Sequence, residues 1–321
     1  MREIKIISHK AIKEMEDTNL HYKISPRKVW KALLFSLLSL GVGQIYNGQI
    51  KKLCILLACI LFVPMIFAIT KLSTTFYGNV VLSVIFIGLI LYMIIDACVS
   101  AKLQNKYIPR KYNKWYFHFL FGIIILFGFW LFFQSPLSVK NNYVRYFKIP
   151  SMSSEPTVQM GDYIVADMRA YKNSIPDYGD IVIFNMDNSP YLFRVVGKPN
   201  DTLSIKDKSL IINNKPVTTL FIETKEIDGF QVNKYEEQLP NGHKHLIYKY
   251  IRSPYIKTNI DDVIIPSDSY FLMEDNRDNA MDSRYLGSIK KEQIIGKATY
   301  VLYGKSSDKI FGRVNIDLTT K

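Results

Sequence analysis

The sequence predicts two unlike parts, an α-helical transmembrane region followed by a mainly antiparallel all-β extracytoplasmic domain. Two observations carry this expectation. Residues 53–70, 79–99 and 115–134 are apolar runs, each close to the ~20 residues that cross a bilayer. From Tyr143 onward the apolar residues come instead in short runs between turn residues: YIVADM, DIVIFNM, YLFRVVG, DTLSIKD, SLIINNKPV, SYFLME and KATYVLYG. That is strand composition, and Asn213-Asn214 between SLII and KPV marks a hairpin. At 321 residues the chain has room for a membrane module and a domain of about 175 residues with its own core.

Residues 1–31 are polar and basic and carry no apolar core, so they are expected to form a cytoplasmic arm rather than a cleavable leader. The membrane module is expected over 32–135. Its first run, 32–46, is short and ends in GVGQIYNGQ. The basic arm, Lys51-Lys52 and the cluster Lys102, Lys106, Arg110, Lys111, Lys114 share the cytoplasmic face only if 32–46 does not span. It is therefore expected to be an interfacial or re-entrant helix, leaving three spans; four spans with an external N-terminus is the alternative. Asp96 is a costly charge in lipid, hence a functional candidate unless it reaches water at the cytoplasmic end. The formal net charge of +13 flanks apolar runs and reads as membrane-surface and topology charge, not as a nucleic-acid footprint. Cys54, Cys59 and Cys98 all lie in apolar segments, so the polar half has no disulfide framework.

The polar half opens with KIPSMSSEPTVQMGD, residues 148–162, which puts serines 151, 153 and 154 on a turn after a short extended segment. Such a turn either presents a nucleophile or is a polar loop capped by hydroxyls. It is followed by YGDIVIF at 178–184, YLFRVVGKPND at 191–201 and MEDNRDNAMDSRYLG at 273–287. In order and spacing these four blocks resemble the signature boxes of the type I signal peptidase family, membrane-anchored serine proteases that cut signal peptides from exported proteins. The resemblance covers about residues 140–305. It implies an inserted cap subdomain at about 221–264 and leaves 306–321 as a C-terminal tail.

Carried over residue by residue, the resemblance makes Ser153 the nucleophile and Ser151 a support for the oxyanion. Phe147, Ile149, Ser154, Val158, Tyr191 and Leu192 would line pockets for small substrate residues. Asp275, Arg277, Asp278, Asp282 and Arg284 form a structural frame. The family's general base is a buried lysine at the third position of Tyr-Ile-Lys-Arg, and Phe193 stands there instead. Around it, Glu274 replaces the glycine that leaves room for the lysine, and Ala280 replaces the serine that hydrogen-bonds it.

Two mechanisms fit these changes. Either catalysis is lost and the groove only binds, or Glu274 fills the vacated space and acts as base, its pKa raised by apolar surroundings. The first is preferred, because a carboxylate base must also meet the proton's geometry. The expected function is that of a signal peptidase I homologue with a degenerate or altered base; the alternative is an inactive pseudoprotease that binds signal peptides or scaffolds a membrane complex. The implied partners are signal peptides of exported precursors and the lipid bilayer, with an active paralogue or the secretion machinery as further candidates. The implied location is the bacterial inner membrane, multi-pass, with the C-terminal domain outside the cytoplasm. No cofactor and no metal is expected: His243 and His245 in NGHKH lack a completing carboxylate pattern and read as solvent-exposed loop residues.

Overall fold

The apolar run 32–46 folds as two short helices, α1 (Val29–Leu38) and α2 (Val42–Tyr46), rather than as the single helix expected. The break is at Gly41, whose φ of 89° cannot continue a right-handed helix. A Cβ there would lie 2.1 Å from the Leu53 side chain, so the position requires glycine. The computed structural model describes residues 26–104, 114–134, 143–252, 257–306 and 309–319, which leaves most of the basic arm outside the described residues.

The chain divides into two bodies, Met1–Met65 with Val81–Ser135, and Ile66–Val80 with Pro136–Lys321. The helices α3 (Ile50–Ile69), α4 (Phe76–Leu103) and α5 (Trp115–Gln134) coincide with the three long apolar runs. They are apolar all round, which suits lipid rather than a half-buried surface. Two of them, α3 and α4, are long and apolar enough to cross a membrane. Within the first body the polar side chains of the glycine-rich motif tie helices together. Gln44 Nε2 donates to the Met93 carbonyl and Asn47 Nδ2 to the Ala97 carbonyl, both at 2.7 Å. Asp96 pairs with Lys52 at 2.5 Å.

In the second body an eight-stranded antiparallel sheet runs in the order β1-β2-β14-β3-β4-β12-β13, with β15 on β14. Its strands are β1 (Val144–Lys148), β2 (Tyr163–Asp167), β3 (Ile181–Met186), β4 (Ser189–Gly197), β12 (Ser269–Met273), β13 (Ile289–Lys290), β14 (Ile294–Ser306) and β15 (Lys309–Asp317). Strand β3 shows why this sheet holds both sides of a site. Ile181 and Ile183 face a core with Ile149, Val158 and Ile164, while Val182 and Phe184 face another with Phe193, Val195, Tyr270 and Leu272. Alternation on one strand thus serves two cores.

A second sheet is β11-β5-β6-β7, formed by β5 (Thr202–Lys206), β6 (Ser209–Ile212), β7 (Lys215–Pro216) and β11 (Ile260–Ile264). Asn213 and Asn214 join β6 to β7 with φ of 50° and 61°, the left-handed pair that a two-residue hairpin needs. The third sheet is β10-β9-β8, formed by β8 (Thr218–Ile227), β9 (Phe230–Gln238) and β10 (Lys244–Tyr250). The inserted cap therefore begins at Thr218, earlier than expected. The last strand of the expected insertion, β11, returns to β5 through the pairs Ile260 with Ile205 and Val263 with Leu203.

Of the residues read as a tail, Lys309–Asp317 form β15. It is held by pairing with β14 and by Arg313, whose Nε donates to both carboxylate oxygens of Asp162 at 3.2 and 3.1 Å. The turn between α3 and α4 also belongs to this body. Asn79 Nδ2 donates to the Tyr300 hydroxyl at 2.7 Å, the Tyr146 hydroxyl donates to Asn79 Oδ1 at 2.9 Å, and Arg169 donates to the Ala68 carbonyl at 2.5 Å.

Candidate active site

Strand β1 ends at Lys148, and the serines follow on a turn closed by short-range bonds. The Ile149 amide donates to the Asp162 carbonyl and the Gly161 amide to the Ile149 carbonyl, each at 2.8 Å; the Val158 amide donates to the Ser154 carbonyl at 3.0 Å. Asn276 clamps the turn from the fourth block. Its amide donates to the Ser153 carbonyl at 3.0 Å and its Nδ2 to the Met152 carbonyl at 3.1 Å.

At the end of β12 the chain delivers Glu274 to this turn. Ser153 Oγ donates to Glu274 Oε1 at 2.6 Å, and Ser151 Oγ lies 2.8 Å from Ser153 Oγ. With Ser153 donating to the acid, Ser151 is left to donate to Ser153. The Glu274 amide donates to Asp282 Oδ2 at 3.1 Å, which fixes the backbone behind the carboxyl. Glu274 is only 7% exposed. Burial pushes its carboxyl up to about 8, working against the Ser153 hydrogen bond; nearby Asp282 and Asp275 add to the rise and Arg284 opposes it.

Phe193 is 4% exposed and packs edge-on against Phe184, with ring centroids 4.9 Å apart. It lines a cavity of about 460 Å³ together with Ser151, Ser153 and Glu274. Of the residues expected to shape substrate pockets, Phe147, Ile149, Ser154, Tyr191 and Leu192 line this cavity. Val158 does not; it is fully buried and borders a small recess beneath, beside Ser154, Leu192 and Glu274. Ala280 is likewise not among the residues lining the Phe193 cavity. It borders the adjoining recess with Met152 and Phe230, so of the three altered positions the structure brings Phe193 and Glu274 together and places Ala280 beyond them.

The frame behind the site is a set of buried ion pairs. Arg194 grips Asp275 with Nε at 2.7 Å and Nη2 at 2.6 Å and gives Nη1 to the Gly179 carbonyl at 2.7 Å. Burial alone would raise the Asp275 carboxyl, but the Arg194 guanidinium holds it below the usual range. Asp282 pairs with Arg284 through two contacts of 2.8 Å, and Asp278 with Lys208 at 2.8 Å. Arg277 grips Glu237 of β9 through both terminal nitrogens.

His243 and His245 are buried, not solvent-exposed. They sit where β9 and β10 pack onto the fourth block. His245 Nε2 is 3.3 Å from Glu237 Oε2, and His243 Nε2 is 3.3 Å from Arg194 Nη1. Burial, reinforced by the Arg194 charge, pushes His243 down to about 4. Gly179 makes room for that ring: a Cβ there would stand 2.3 Å from it. Glu237 escapes sequence reasoning because the Glu236-Glu237 pair looks like any solvated strand. Among the described residues no group of three or more His, Cys, Asp or Glu side chains converges as metal ligands would.

An antiparallel β domain with a serine turn beside a cavity follows a series of apolar helices in the chain, a make-up that suits a membrane-attached hydrolase. The profile of the family described as signal peptidase, peptidase S26, matches residues 113–303. The chain therefore belongs to that signal peptidase family. It is 31% identical over 229 residues to signal peptidase I of Pseudomonas aeruginosa, covering 63% of this chain and 75% of that protein. It is 29% identical over 208 residues to signal peptidase I of Rickettsia typhi, covering 54% of this chain and 79% of that protein. A crystal structure of a signal peptidase I from Enterococcus faecalis V583 aligns over 39% of this chain and 100% of its own, at 22% identity and a TM-score of 0.25.

Proposed function

We propose that the chain is a serine endopeptidase that cleaves signal peptides from exported precursor proteins at the membrane surface, using Glu274 as general base where the family uses lysine. The observation that carries this is the 2.6 Å hydrogen bond from Ser153 Oγ to Glu274 Oε1. The requirement that weighed against a carboxylate base was proton geometry, and this distance lies within the reach a base needs.

In this mechanism Ser153 Oγ attacks the scissile carbonyl carbon while its proton passes to the Glu274 carboxylate. The C–N bond then breaks, and Glu274 returns that proton to the departing amine. Water attacks the acyl-serine and gives its proton to Glu274. The acyl C–Oγ bond then breaks, Ser153 Oγ takes that proton back, and the Glu274 carboxylate and Ser153 hydroxyl are restored as the carboxylic acid product leaves. Ser151, released from Ser153 Oγ, supports the oxyanion. Phe193 acts as the dry wall that keeps the Glu274 pKa high. The substrate pairs in extended form along Phe147–Pro150 and Tyr191–Phe193, and alternate side chains enter the cavity.

In the membrane, α3, α4 and α5 form three spans at the bacterial inner membrane, with a cytoplasmic N-terminus and an external β domain. Two observations support this placement. The α3–α4 turn belongs to the same body as the β domain, and the sequence between α4 and α5 carries a cluster of Lys and Arg, which favours the cytoplasmic face. The helices α1 and α2 then lie at the cytoplasmic interface.

Phe193 in the base position favours a second reading, a pseudoprotease that holds signal peptides without cutting. Purified full-length protein, offered a precursor with small residues at the first and third positions before the cut, separates the two. Cleavage that is lost in Ser153→Ala and falls roughly 10²–10⁴-fold in Glu274→Gln supports the Ser/Glu enzyme. No cleavage by the wild type, with activity appearing in Phe193→Lys/Glu274→Gly/Ala280→Ser, supports the pseudoprotease.

A further inference from the structure

We infer that a second recess, across the nucleophile turn from the Phe193 cavity, is a subsite for the second residue after the cut and selects an aromatic or long aliphatic side chain there. This rests on the peptide-cleaving reading of Ser153. The recess measures about 490 Å³, close to the 460 Å³ of the first cavity, and both fall within the range of ligand sites, roughly 300–1,000 Å³. Its apolar walls are Met152, Phe230, Tyr250, Met281 and Tyr285, and Asp228, Arg252, Asp278 and Asn279 also line it.

Two residues make the recess continuous with the reaction centre. Met281 lines both cavities, and Met152 directly precedes Ser153 on the turn. A peptide that runs extended along β1 with its scissile carbonyl at Ser153 enters the second recess by crossing Met281, the residue the two cavities share. Side chains of an extended chain alternate, with same-side neighbours about 6.6–6.8 Å apart. If the side chain before the cut enters the first cavity, the one after it points away and the next points into the second recess.

The walls are built to receive something apolar. The Phe230 and Tyr250 rings stack with centroids 5.6 Å apart, while Phe230 remains 51% and Met281 69% exposed. Large apolar side chains left open together beside a reactive serine mark a contact surface. Of the polar residues in the lining, Asp278 is already engaged, since it pairs with Lys208 at 2.8 Å and accepts the Tyr250 amide at 2.7 Å. Asp228 and Arg252, of opposite charge, balance each other in the lining, so neither sign of ligand is selected. Ala280, where the family carries serine, borders the same recess and adds a methyl rather than a hydroxyl.

The walls are also held in place. The Tyr248 amide donates to the Asp275 carbonyl at 2.9 Å and the Arg277 amide to the Tyr248 carbonyl at 3.0 Å, so the cap sheet is zipped to the block that carries Glu274. Phe230, at the start of β9, lines the recess together with Met152 of the nucleophile turn. The cap thus brings Phe230 to the nucleophile turn.

The test uses full-length Ser153→Ala protein and fluorescent peptides identical up to the cut, with Phe, Leu, Ala or Asp as the second residue after it. Binding of the Phe and Leu peptides is expected to be roughly tenfold tighter than that of the Ala and Asp peptides. Adding Phe230→Ala or, independently, Tyr285→Ala should bring that ratio toward one. Phe221→Ala, exposed on β8 outside the recess, should leave it. Equal binding of all four peptides, or a ratio untouched by both recess variants, overturns the subsite. Discrimination with no cleavage by the wild type keeps the subsite and removes the peptidase reading, whereas cleavage without discrimination does the reverse.

Discussion

Ser153 and Glu274 are 121 residues apart in the chain, yet their side-chain oxygens stand 2.6 Å apart. Because burial pushes the Glu274 carboxyl up to about 8, only about a tenth of it is ionised at neutral pH. A base must be ionised to accept the serine proton. We therefore expect kcat/KM on a precursor peptide to rise about tenfold per pH unit below 8 and to level off above it. In Glu274→Gln the rate should be low and this limb absent. A limb that persists unchanged in Glu274→Gln would mean that another group takes the proton.

The same carboxyl links stability to pH. Its folded pKa is raised from the ordinary carboxyl value of about 4.5 to about 8, so the native state favours the protonated form. That contribution is fully present below about 4.5 and is lost as pH climbs through 8. The whole shift corresponds to something on the order of 3–5 kcal/mol. Glu274→Gln, which cannot ionise, should therefore be more stable than wild type at pH 9, with the gap narrowing toward pH 5. Urea unfolding at the two pH values measures this, and a constant gap would contradict a buried acid with a high pKa.

What could be read without coordinates follows a physical divide. The long apolar runs and the short strand runs differ in length and period, and both survive as helices and strands. Ser153, Phe193 and Glu274 were accessible because each lies in a block whose order and spacing carry the resemblance. Positions set by packing between distant segments were hidden. Gly41 looks like any glycine tolerated in an apolar helix until Leu53 is seen against it. His243 and His245 read as loop residues because NGHKH is locally polar, and their burial comes from Glu237 and the Arg194–Asp275 pair beside them. Strand β15 reads as a tail because the resemblance ends near residue 305, although Ile316 within it and Leu318 just beyond it pack into the core that holds Ile149.

Phe193 holds up both the core and the electrostatics. It packs with Val182, Phe184, Val195 and Leu272 and lines the cavity that contains Glu274. Phe193→Ala should cost about 3–5 kcal/mol through the space left behind. It should also admit water to Glu274, lowering that pKa and moving the rise in kcat/KM to lower pH. Denaturant unfolding reads the first effect and the pH–rate profile the second. Loss of stability with an unmoved profile would show that Glu274 takes its high pKa from other neighbours.

The Arg194–Asp275 pair should dominate the acid side of stability. Both side chains are nearly solvent-free, at 3% and 4%, and the Asp275 carboxyl is held below its usual range by Arg194. A depressed carboxyl contributes stability above its unfolded pKa of about 3.9 and loses it as pH falls below that. Glu237, held down in the same way by Arg277, adds to the effect over the same window. Asp275→Ala leaves the Arg194 charge buried without its partner and should cost about 3–5 kcal/mol at pH 7. Arg194→Met/Asp275→Leu removes both charges and should recover part of that loss. Recovery is incomplete because Arg194 also holds the Gly179 carbonyl at 2.7 Å and Thr157 Oγ1 at 3.3 Å. Unfolding free energies measured from pH 3 to 7 should show a steep acid loss in the wild type and a shallower one in the double variant; equal slopes would assign the acid sensitivity to other carboxylates.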